Sequence, residues 1–132
     1  DALEYGAKVT GADYSSALGK IDLMKHEFSK KFESHDLILT PTMTVEAFPV
    51  GSPPTQINAQ AIDPFYGAFP FTFPINMIGF PAASIPCGFT ENGMPVGLQI
   101  IGNIGEEGKI LALSRVFEQL NPWIQLRPTQ AK

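Results

Sequence analysis

Residues 74–102 read PINMIGFPAASIPCGFTENGMPVGLQIIG, a stretch of glycine, proline and small apolar residues with almost no charge. Two short apolar runs inside it, AASIP (82–86) and VGLQII (96–101), have the length and composition of buried strands. Between them lies Asn92-Gly93, the dipeptide best suited to positive φ, so an antiparallel hairpin is predicted. Pro95 then belongs at a strand start or an edge, because it has no N–H to give a ladder. Gly88 and Gly97, near the strand ends, are read as points where a neighbour's backbone comes close.

Working outward, DLILT (36–40) is another short apolar run, stopped by Pro41, and reads as a buried strand. Upstream, residues 10–34 predict one amphipathic helix, with Tyr14, Ala17, Leu18, Ile21, Met24, Phe28 and Phe32 on a shared face. Thr10 followed by Asp13 predicts a capping box, and Lys30 and Lys31 suit the last turn. Gly19 weakens this helix by about 1 kcal/mol relative to alanine without breaking it. Downstream, GEEGKILALSRVFEQL (105–120) predicts a second helix whose stripe is Ile110, Leu113, Val116, Phe117 and Leu120. Helix, strand, hairpin, helix predicts an α/β fold, with α+β as the variant, built on a mixed sheet flanked by helices. The Pro-rich stretch 47–64 is a long connection, either a lid or pocket wall or an ordinary surface loop.

The bulk numbers exclude several classes. One domain at most fits in 132 residues. Lys+Arg 9 against Asp+Glu 13 gives a net charge of -4, which offers nucleic-acid phosphates little to hold. No run approaches the ~18 apolar residues of a membrane span, and the first residues lack the regions of a signal peptide. The single cysteine, Cys87, has no internal partner, so a reducing, cytoplasmic setting is expected. The chain opens at Asp1 without a methionine, as a cut piece or a processed chain does.

Few residues offer chemistry. Cys87 with His26 or His35 is a weak nucleophile–base pairing, and a buried structural cysteine is the expectation. Two histidines and one cysteine at these spacings form no metal site, and no cofactor is expected. GNIGEEGK (102–109) misses the phosphate-loop spacing, with Asn103 and Ile110 in the wrong places, and reads as a helix start. Phe65, Phe69, Phe71, Phe73 and Phe80 either line a pocket or pack a core. Asp63 and Glu46 are lone carboxylates with no visible acid–base partner.

DLILTPT, NMIGFPAASIPCGF, GMPVGLQIIG and ILALSRVFEQ, in that order, closely resemble the C-terminal part of the amidase signature family. GADYSSAL (11–18) also resembles the helix that the family places before its DLILTPT strand, so the likeness spans roughly residues 10–120. The resemblance implies hydrolysis of carboxylic amides, or transfer of the released ammonia, by a Ser–cis-Ser–Lys triad. The lysine must be neutral at some stage, so burial has to lower its pKa. Backbone N–H groups of a Gly/Ser-rich loop would stabilise the oxyanion. This sequence holds none of those parts: Ser15-Ser16 falls mid-helix. It is therefore expected to be a C-terminal segment, with the triad elsewhere and no catalytic residue of its own. The resemblance assigns it strands of a central sheet and wall of a pocket for a small-molecule amide.

By position in those motifs, Pro41, Thr42, Phe69, Phe71, Asn76 and Met77 are the expected substrate wall, the competing reading being that several are core. Asn76, polar in an apolar run, is expected to have hydrogen-bond partners. In the branch that makes ammonia for misacylated tRNA, an aspartate a few residues after the tyrosine of DPFYGAFPFTFPINMIGFP (63–81) binds the glutamine amino group. Phe69 stands there in this chain, which implies a less polar amide. A non-catalytic binding or assembly module with the same fold is the alternative, and a chain of this kind alone is expected to self-associate.

Overall fold

The computed structural model describes residues 2–64 and 66–126. The chain opens with helix α1 (Ala2–Gly6) and helix α2 (Gly11–Ser29), which tightens into a 3₁₀ turn at Lys30–Glu33. Strand β1 (Leu37–Pro41) follows, then a small hairpin, β2 (Gln56–Ile57) and β3 (Gln60–Ala61). Helix α3 (Phe73–Ile78) leads into strands β4 (Ala82–Phe89) and β5 (Pro95–Gly102), and helix α4 (Glu107–Leu120) ends the regular structure.

β5 lies between β1 and β4, antiparallel to both, so the predicted hairpin gains the earlier strand on its far side. Its tip is a Thr90–Gly93 turn: the Gly93 N–H donates to the Thr90 carbonyl (2.9 Å) and the Thr90 N–H to that of Met94 (2.8 Å). Only Gly93 takes positive φ (77°), while Asn92 keeps negative φ and donates its side chain to Glu46 (3.1 Å). Pro95 does begin β5. The two glycines at the strand ends part company. A Cβ on Gly97 would lie 2.7 Å from Thr42 Oγ1 and 2.8 Å from Ser84 Oγ, the close approach expected. Gly88 meets nothing within 4 Å; its φ of 151° and the register shift between Pro86 and Gly88 mark a bulge that inserts Cys87.

Successive residues of β5 face opposite sides, and helices cover both. Ile101 packs with Ile75, Ile78 and Phe80, against Ile21, Met24, Phe28, Phe32 and Ile38. Phe80 sits edge-on to Phe28 (5.2 Å between centroids) and stacked on Phe32 (5.6 Å). On the other side, Ile100 packs with Ile85 and Ile110, against Leu113, Phe117 and Trp123. Each helix buries less of its stripe than the periodicity predicts. Tyr14 and Leu18 of α2, and Val116 and Leu120 of α4, are exposed because no described element lies over them.

The 47–64 connection contains structure that composition hides. Asn58 (φ 49°) and Ala59 (φ 61°) form the tight turn between β2 and β3. Positive φ is unfavourable for alanine, which is why the sequence gives little sign of a turn there.

The capping box forms as expected. Thr10 Oγ1 accepts the Asp13 N–H (3.1 Å), and Asp13 Oδ2 accepts the Thr10 N–H (3.0 Å). The hydrogen bonds from Thr10, side chain first, hold the Asp13 carboxyl below its ordinary value of 3.8. A depressed folded pKa adds stability above the unfolded value and loses it as pH falls through the folded one. Thr10→Ala is therefore expected to lower helicity at neutral pH and to shrink the further loss on acidification, both read by far-ultraviolet circular dichroism. Gly97→Ala is expected to cost about 1–3 kcal/mol in urea unfolding. Ser84→Ala in the same chain should recover part of that loss.

Candidate functional site

Three alternating threonines at and beyond the end of β1 organise one end of the sheet. Gln99 Nε2 donates to Thr40 Oγ1 (2.9 Å). Thr42 Oγ1 and Ser84 Oγ share a hydrogen bond (2.7 Å) over Gly97. Thr44 Oγ1 donates to the Ala68 carbonyl (3.2 Å). The period-2 spacing of LTPTMT puts these hydroxyls in one row. The apolar face around Ile101 thus grades into a polar one at Gln99, Ser84 and Thr42.

That row holds the segment 66–73, whose aromatic side chains form a wall. Tyr66 and Phe69 both pack edge-on to Phe73, at centroid separations of 5.0 and 5.7 Å. Ala68 beneath them is buried. Asp63 starts the segment by accepting the Tyr66 N–H at Oδ1 (2.8 Å), and its carbonyl accepts the Gly67 N–H (2.9 Å). At the far end, the Phe71 carbonyl accepts from Gln99 Nε2 (2.9 Å). Gln99 is 4% exposed and is the buried polar side chain of this region.

Of the residues expected to form a substrate wall, Phe69 and Phe71 lie half-buried in this segment, and Thr42 lies half-buried beside Ser84. Pro41 ends β1 opposite Leu98 and is exposed. Asn76 and Met77 occupy the outer side of α3, away from buried Ile75 and Ile78. Asn76 corrects an expectation: its side chain is exposed and has no partner among the described residues, so solvent satisfies it. The phenylalanines divide as well. Phe80 is core, Phe69 and Phe73 are wall, and Phe65 lies outside the described residues. Gln99 escaped the sequence reading, although a lone amide within VGLQII is the kind of residue that must find partners once buried.

A surface cleft of about 380 Å³ runs next to the threonine row, lined by residues including Thr44, Glu46, Thr90, Val96 and Gly97. Glu46 is tied there to Asn92, and Asp63 to the Tyr66 N–H, so neither carboxylate is paired with an acid–base partner. Cys87 is exposed rather than buried, because the bulge turns it out of the ladder; its Sγ donates to the Val96 carbonyl (3.5 Å). His35 Nδ1 instead contacts Ser34 and the Lys31 carbonyl. Ser15 and Ser16 are exposed on α2. Among the described residues no serine hydroxyl bonds a lysine, and no group of three potential metal ligands occurs. The geometry offers a wall and a polar seam without a nucleophile.

Comparison with known proteins fits that picture. A glutamyl-tRNA(Gln) amidotransferase subunit from Thermodesulfovibrio yellowstonii is 42% identical over 120 residues, 89% of this chain and 23% of that protein. A bacterial aryl acylamidase of the amidase signature family superposes with a TM-score of 0.82 at 30% identity, over 96% of this chain and 28% of the other. The corresponding glutamyl-tRNA(Gln) amidotransferase subunit from Thermotoga maritima gives 0.69 at 33% identity, over 92% and 24%. The chain thus spans about a quarter of the length of the relatives it matches. The family described as Amidase matches residues 3–111. With most of its length inside that match and this fold, the chain belongs to the amidase signature family.

Proposed function

We propose that this chain is the C-terminal part of an amidase that hydrolyses carboxylic amides to acid and ammonia or amine. It supplies sheet and pocket wall, while a Ser–cis-Ser–Lys triad comes from outside these 132 residues. The carrying observation is Phe69, half-buried and packed edge-on to Phe73 in the 66–73 wall. Asp63 is the one acidic residue between 62 and 81, and it already serves the Tyr66 N–H. An amino acid's ammonium brought against that wall would lose its hydration without gaining a counter-charge, at a cost of several kcal/mol. An aromatic or aliphatic amide loses nothing comparable there.

A second reading, the amide-cleaving component of a tRNA-dependent glutamine amidotransferase, is favoured by the glutamyl-tRNA(Gln) amidotransferase relatives at 37–42% identity. A cytoplasmic location without nucleic-acid or membrane partners completes the first reading. Among the described residues no helix is long and apolar enough to cross a membrane. The exposed Tyr14, Leu18 and Leu23 of α2 and the outer edges of β1 and β4 support self-association of the chain by itself.

The deciding assay expresses the full reading frame that encodes this chain and measures ammonia release from benzamide, hexanamide and glutamine. Higher kcat/KM on benzamide or hexanamide supports the first reading. Preference for glutamine overturns it for the second, and no release from any amide leaves the assembly-module alternative. Under the first reading, Phe69→Asp is expected to lower kcat/KM for the apolar amides by about 10-fold or more.

A further inference from the structure

We infer that Gln99 is the positioning residue of the aromatic wall, its side-chain amide setting the 66–73 segment against the sheet. Three elements that are distant in sequence meet at this one group. Gln99 projects from the central strand β5, Thr40 from the neighbouring β1, and the Phe71 carbonyl from the turn that enters α3. Both contacts are 2.9 Å from the same nitrogen, so the two N–H donors of the amide are divided between them. At 4% exposure, water cannot replace either bond cheaply.

The placement matters because the rest of the wall is held by its own local bonds. The Thr72 N–H and Oγ1 both return to the Phe69 carbonyl (3.1 and 3.2 Å), as does the Phe73 N–H (3.3 Å). These fix the shape of the turn and leave its position on the sheet undetermined. Position comes from two points: the Thr44 N–H and Oγ1 on the Ala68 carbonyl at 3.4 and 3.2 Å, and Gln99 on Phe71. The Gln99 contact is the shorter and the more deeply buried of the two. Phe69 and Phe71, both on the predicted substrate wall, lie between these anchors.

That this wall meets substrate rests on the amidase reading; that Gln99 positions it does not, and the test separates the two. In the protein encoded by the full reading frame, hydrogen exchange is measured with the β4–β5 ladder as internal reference. Gln99→Leu keeps the buried volume and removes both donors. It is expected to lower protection of the Thr44, Thr72 and Phe73 amides by about 10-fold or more, with the ladder little changed. Thr40→Val spares the bond to Phe71 and is expected to change those amides far less. Gln99→Glu supplies the readout that a merely structural residue would not move. The ionised carboxylate has no donor for the Phe71 carbonyl, whereas the protonated form has one. Protection of the segment should therefore recover as pH is lowered through the pKa of the introduced carboxyl, which burial raises.

Unchanged protection in Gln99→Leu overturns the inference. So does equal loss in the ladder, or failure of Gln99→Glu to recover on acidification. Should Gln99→Leu not fold, the two protonation states of Gln99→Glu still decide. In the amide assay, Gln99→Leu is expected to raise KM for benzamide with kcat little altered. Absence of any amidase activity sinks the functional reading and leaves the exchange result to stand.

Discussion

Everything in this chain depends on burying both faces of one strand. Ile100 and Ile101 are adjacent in sequence, almost completely buried, and turned to opposite sides of the sheet. Each contributes roughly 1.5–3 kcal/mol by leaving water. Through Ile101, β5 gathers α2 and α3; through Ile100, it gathers α4. β1 and β4 flank it and extend these surfaces sideways. A strand covered on both faces has no place for alternating polar residues, which explains the uniform character of VGLQII.

The plainness of the 74–102 stretch has a second cause at the other end of the same strand. Where the Ile101 face stops, the sheet carries a seam of hydroxyls and one amide that grips the segment before α3. Gly97 is needed because Thr42 and Ser84 meet above it, leaving no room for a Cβ. The small side chains are thus a requirement of packing hydroxyl against hydroxyl, and the aromatic wall is placed by that seam.

Much of this is legible in the sequence because the signals are local. Asn92-Gly93 between apolar runs announces the hairpin, and Thr10 with Asp13 announces the start of α2. The family likeness carries the functional direction, since no acid–base pair or nucleophile in the residues does so. What stays hidden depends on three dimensions. The β2–β3 turn uses Ala59 at positive φ, which no propensity rule favours. Tyr14 and Leu18 continue the stripe of α2, yet the sheet ends before it can cover them. Cys87 reads as a core residue, but the bulge turns it outward; Asn76 reads as buried, but α3 puts it on the outer side. Gln99 draws no notice among apolar neighbours, although its role follows from the same rule applied to Asn76.

The division into two apolar clusters has a consequence for how such a sequence changes over time. The clusters lie on opposite faces of a single strand, so a volume change beside Phe80 is not felt beside Phe117 except through the backbone of β5. Substitutions on the two sides should combine additively, because they share no neighbours. The helices on one face are then free to drift without matching changes on the other. Only β5, which answers to both, is held to a narrow choice of side chains.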